Sequence, residues 1–257
     1  MLQHRKTIWY AQFYHLIFTL AAIDIFASAM EVLRLIPVWV GRHVFGLVFN
    51  YAATSNSWCL WYSMLAIHLW IAIERFISIV FYAEAPELLT STLTNSMCVF
   101  TFLSGYLFGL PLLYLSPIHL GLDMKPVFYD PKSVWLTVLL KFDQIFSFTI
   151  SAMIAALYFL VLLHSRKYYK GAGDPETKII QLKMFAQGVI LATNMFVLEF
   201  SWYYVTSRLL FRTIMLLLYT GNPIVYCVVD KRVREQVYIY FSQICSKKHT
   251  HVETLKP

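Results

Sequence analysis

The chain has 257 residues, of which 59% are hydrophobic and 14% charged, and its net charge is +7. Soluble domains carry about 25% charged residues, and a membrane barrel would show segments of roughly ten alternating residues, which this sequence lacks. Basic loops that hold membrane helices in orientation explain the positive charge, so no nucleic-acid partner is expected.

Apolar stretches follow one another, near the roughly 20 residues that cross a hydrocarbon core about 30 Å thick. Residues 1–8 read as a cytoplasmic segment with Arg5 and Lys6, and the apolar stretch after them is too long for a cleavable signal. The first predicted span covers 9–33, with Asp24 at its centre in the run LAAID. A carboxylate at that depth costs about 2.5–3.5 kcal/mol on insertion scales, so it should face the bundle interior and a partner. Residues 44–56 are apolar but contain Asn50, Thr54, Ser55 and Asn56. They either extend the next helix or form a re-entrant loop.

The second span, 57–82, is crowded with Trp58, Trp61, Tyr62 and Trp70 and carries Glu74-Arg75 in IAIERFISIV. The third is 97–115. The fourth, 139–163, has Lys141 and Asp143 near its start; the fifth, 184–204, has Glu199 and Trp202 near its end. The sixth, 210–229, holds Asn222-Pro223-x-x-Tyr226. Pro223 removes a helix hydrogen bond and should kink this span; Asn222 can donate and accept across the freed backbone. Beyond it, Val229, Val233, Val237, Phe241 and Ile244 recur at helical spacing, which predicts an amphipathic helix lying in the interface. Cys245 follows as a palmitoylation candidate. The expected fold is therefore all-α, a six-span bundle over residues 1–230 with an amphipathic helix and tail over 231–257.

Sidedness follows from Lys and Arg. Arg5 and Lys6, the fourth-to-fifth loop (Arg166, Lys167, Lys170, Lys178, Lys183) and the tail (Lys231, Arg232, Arg234, Lys247, Lys248, Lys256) hold thirteen of the 21 basic residues. Six spans put all three segments on one side, and the positive-inside rule makes that side the cytoplasm. Both termini are then cytoplasmic, in what we expect to be the plasma membrane. Within the outer half, Lys141 and Glu199 are expected to pair across the bundle, and Tyr62, Lys141, Glu199 and Trp202 are the candidate ligand-pocket residues. His15 and His68 have no partner at metal-ligand spacing, and no cofactor is expected. No HExxH, GxSxG or phosphate-binding loop occurs, so the chain is not expected to be an enzyme.

In order and in depth, LAAID, ERF and GNPIVY followed by an amphipathic helix resemble the rhodopsin-like G-protein-coupled receptors over nearly the whole chain. That family has LAxxD in its second helix, a D/E-R-Y-like triplet ending its third and NPxxY ending its seventh. The resemblance implies that the six spans correspond to helices two to seven, without the first helix and its GNxxV pattern. It implies that Asp24 and Asn222 form a central polar pair where a sodium ion can sit. Glu74, Arg75, Asn222, Pro223 and Tyr226 would form the activation switch. Arg75 would hold the inactive state and then engage a heterotrimeric G protein, with Glu74 restraining it at rest and Tyr226 swinging inward on activation. Partners would be that G protein, membrane lipid and an extracellular small-molecule or peptide ligand. The paired outer cysteines, the family's proline in the fourth span and the proline of CWxP in the fifth are absent, Trp202 standing in EFSW. The aromatic richness and ERF are similar to the nematode serpentine chemoreceptors, implying a chemosensory role. The competing reading is a transporter or channel subunit, in which Asp24, Lys141, Asp143 and Glu199 line a pathway.

Overall fold

The computed structural model describes residues 2–41, 46–81, 84–115, 118–120, 126–128, 134–168, 175–205, 207–229 and 234. Six long helices carry the fold: α1 (Leu2–Val40), α2 (Gly46–Val80), α4 (Ser91–Leu115), α5 (Val134–Tyr168), α6 (Pro175–Tyr204) and α7 (Arg208–Val229). A one-turn helix α3 (Ala85–Leu88) precedes α4. Strands β1 (Ile118–Leu120) and β2 (Pro126–Phe128) pair antiparallel, with His119 opposite Val127. We refer to the end of the bundle that carries these strands as the hairpin end.

Four helical segments are long and apolar enough to cross a membrane among the described residues: His15–Val40, Val48–Val80, Ser91–Leu110 and Leu140–His164. The distribution of burial agrees with lipid as the surrounding medium. Apolar side chains point outward, as with Val99, Leu103 and Leu107 on α4, whereas Asp24, Glu31, Glu74, Arg75, Asp143, Glu199 and Arg212 are buried between helices. Leu107 is 68% exposed and Asp24 0%. A soluble fold would bury the first and solvate the second; in a bilayer, charges face the bundle interior.

Helix α2 is the axis of the assembly. It packs against α1, α4, α5 and α6, while α1 meets α7 and α7 meets α6, closing a ring of helices about it. Two glycines set its closest approach. A Cβ on Gly105 would overlap the Ser63 side chain and the Cys59 carbonyl, and one on Gly109 would lie 2.9 Å from the Cys59 Cα. This is the small-xxx-small contact that lets membrane helices bring their backbones together.

The helices run further than the hydropathy suggests. Residues 2–8, expected to be a loop, are helical; the stretch contains Leu, Gln, Arg and Lys, which favour helix, and no glycine or proline. Of the two alternatives for residues 44–56, the helix is the one formed from Gly46 onward. Its polar residues are absorbed by the helix itself: Asn56 Nδ2 donates to the Ala52 carbonyl (2.8 Å) and Ser57 Oγ to the Ala53 carbonyl (3.1 Å). Neither α3 nor the β1–β2 pair was expected. Apart from Val229, which ends α7, and Arg234, the predicted interfacial helix and Cys245 lie outside the described residues.

Candidate functional site

Three polar constellations are stacked along the bundle. At the hairpin end a cavity of about 60 Å³ opens between α1, α2, α5, α6 and α7. One wall is basic. Glu31 and Arg34 lie one turn apart on α1, and Arg34 Nη1 donates to Glu31 Oε2 at 2.9 Å. From α7, Arg212 Nη1 donates to the other oxygen of the same carboxylate at 2.7 Å. Two guanidinium groups thus share one acid, and the Nε of each has no hydrogen-bond partner. Arg212 also sits over the Phe211 ring, 5.4 Å from its centroid.

A second group of lining residues is acidic. Asp143 on α5 accepts from Tyr62 Oη (2.7 Å) at one oxygen and from Tyr203 Oη (2.9 Å) at the other. Ser151 Oγ donates to Glu199 Oε2 at 2.6 Å, while Glu199 Oε1 is buried with no partner. Aromatic rings also line the cavity: Trp58 meets Trp202 edge-on (5.8 Å) and Trp202 meets Phe211 at 5.2 Å. Their amphipathic surfaces suit a ligand with an apolar body and polar ends.

Of the predicted pocket residues, Glu199 and Trp202 line this cavity, and Tyr62 holds Asp143, which lines it. Lys141 does not take part. It is exposed on α5 and forms no ion pair with Glu199. The expected pairing is corrected on geometry: Glu199 meets Ser151, nearly three turns further along α5 than Lys141, and the lysine lies off the inward face that Asp143 and Ser147 share. The basic wall went unnoticed in the sequence. Glu31 and Arg34 at i,i+3, with Arg212 in the last span, are intramembrane charges of the kind that already singled out Asp24.

A second constellation lies at mid-bundle. Asp24 is buried on α1 close beside the Asn222 amide of α7, with neither carboxyl oxygen at full hydrogen-bond geometry. Asn222 accepts from Asn194 Nδ2 of α6 at 2.9 Å. A buried carboxylate beside an amide is an oxygen-donor setting that suits a hard cation.

The third lies on α2 at the end remote from the hairpin. Arg75 Nε is 2.8 Å from Glu74 Oε2, and Ser78 Oγ donates to Glu74 Oε1 at 2.8 Å. All three residues are buried. Tyr158 of α5 is buried close by, its ring against Gly188 of α6, where a Cβ would overlap the phenol. Residues 61 and 74 are about 20 Å apart along α2 at 1.5 Å per residue, so one helix links cavity and ion pair. Pro223 lies within α7, as does Tyr226, whose side chain is outside the described residues.

Fold and site together define an α-helical bundle with membrane-length apolar helices and a charged, aromatic-walled cavity at one end. The chain matches no protein-family model and no curated protein sequence.

Proposed function

We propose that the chain is a receptor of the rhodopsin-like, G-protein-coupled kind, chemosensory in role, with six spans corresponding to helices two to seven of the seven-helix plan. One observation carries the reading. A single central helix, α2, presents Trp58 and Trp61 to the cavity at one end and the Glu74–Arg75 ion pair at the other. A ligand that favours one arrangement of the cavity walls can bias the arrangement around Arg75 only through its different affinity for the two states. The Asp24–Asn222–Asn194 layer lies between, where Asp24 would hold a sodium ion when one is bound. In this reading the hairpin end faces outward, the basic fourth-to-fifth loop and both termini lie in the cytoplasm, and the heterotrimeric G protein binds beside Arg75.

Nucleotide exchange on G proteins co-expressed with the full chain tests it. Arg75→Ala is expected to abolish exchange while surface expression persists. Exchange unchanged in that variant at equal expression removes the receptor reading.

A further inference from the structure

The cavity is lined by a buried guanidinium set and a buried carboxyl set that do not pair with each other. On the basic wall two buried cations share the carboxylate of Glu31, an excess of one positive charge. On the acidic wall neither Asp143 nor Glu199 forms an ion pair with any described basic residue, and Lys141 is exposed elsewhere on α5. Glu199 and Arg212 are 1% and 4% exposed, both line the cavity, and each keeps an unpartnered polar atom, Oε1 and Nε.

Burying a charge without a counter-charge is costly. A ligand with one charge relieves one wall and leaves the other. We infer that the cavity takes a small zwitterion of the amino-acid class, with its carboxylate against Arg212 and Arg34 and its ammonium against Glu199 and Asp143. Arginine's planar fork suits a carboxylate. The rings of Trp58, Trp202 and Phe211, which line the same cavity, offer apolar contact to the stem and a π face to the ammonium. A volume of about 60 Å³ holds only a few water-sized groups, which limits the enclosed part of the ligand to a small molecule. The inference rests on the receptor reading only in taking this cavity as the ligand site.

The test uses the purified full chain in nanodiscs, with thermal stabilisation and calorimetry as readouts. The probes are the twenty common α-amino acids and γ-aminobutyrate, each beside its decarboxylated amine and its deaminated acid. At least one zwitterion is expected to bind about tenfold or more tighter than either singly charged counterpart. Glu199→Gln should remove the preference over the acid, and Arg212→Met the preference over the amine. No zwitterion binding at millimolar concentration, or binding no tighter than that of the half-analogues, overturns the proposal; the wild-type comparison decides this even if a variant fails to fold. Zwitterion binding in a chain that drives no nucleotide exchange removes the receptor reading and leaves the ligand class standing. Exchange without zwitterion binding removes the ligand class alone.

Discussion

Replacing Glu31 by glutamine separates a shared buried counter-charge from an ordinary ion pair. Glu31 is fully buried and accepts from Arg34 at 2.9 Å and Arg212 at 2.7 Å. Glu31→Gln keeps the volume but leaves two buried guanidinium groups facing each other with no acid between them. Breaking a buried ion pair from one side costs about 3–5 kcal/mol. Arg212→Met differs in size of effect. It loses one charge-assisted bond and the contact over Phe211, yet it leaves a neutral Glu31–Arg34 pair and removes the excess cation. Its net cost should be about 1 kcal/mol. At about 2–4 °C per kcal/mol for a chain of this size, Glu31→Gln should lower the apparent Tm of the detergent-solubilised protein by about 6–20 °C. Arg212→Met should lower it by about 4 °C at most. Equal losses for the two variants would refute the shared-acid argument, as would a Glu31→Gln loss within about 2 °C.

Gly105→Leu and Gly109→Leu should each prevent α2 and α4 from closing, because backbone and side-chain atoms of Cys59 and Ser63 already occupy the space; size-exclusion profiles should show loss of the monodisperse peak. Tyr62→Phe and Tyr203→Phe each remove one hydrogen bond to Asp143 and should cost about 1.5–3 kcal/mol apiece by thermal unfolding. The double variant should cost less than the sum if Asp143 then takes up a proton. Asp24→Asn should leave the Tm unchanged or raised in sodium-free buffer, since it replaces a buried carboxyl by an amide that can still meet Asn222; a large loss would mean that the bundle holds the carboxylate itself.

Much of the fold was legible because lipid imposes a simple rule: helices of a set length, apolar outside, with polar groups turned inward. That rule anticipated a bundle of long helices, four of them long and apolar enough to span among the described residues, and picked out Asp24 as inward-facing, and Asn222 lies beside it. It blurred at the helix ends, where residues 2–8 and 46–56 continue as helix beyond the apolar core. There, side-chain bonds such as Asn56 to Ala52 make polar residues compatible with helix, and hydropathy does not register them. Within the site, Glu199 and Trp202, two of the four expected pocket residues, line the cavity, whereas Lys141 does not, because depth does not give rotation about the helix axis. Asp143 and Ser147 face inward on α5 and Lys141 does not. The Gly105-xxx-Gly109 contact had a sequence signature that passed unread. So did the basic wall, whose members are far apart in sequence: Arg212 reaches Glu31 only once α7 packs on α1.

In the proposed receptor, Glu74 restrains an Arg75 which, once released, drives a G protein. Basal nucleotide exchange measured at equal surface expression for wild type, Glu74→Gln and Arg75→Ala tests it without any knowledge of the ligand. The claim predicts the order Glu74→Gln above wild type above Arg75→Ala, with the last at the level of cells lacking the chain. Identical exchange in all three forms would contradict it.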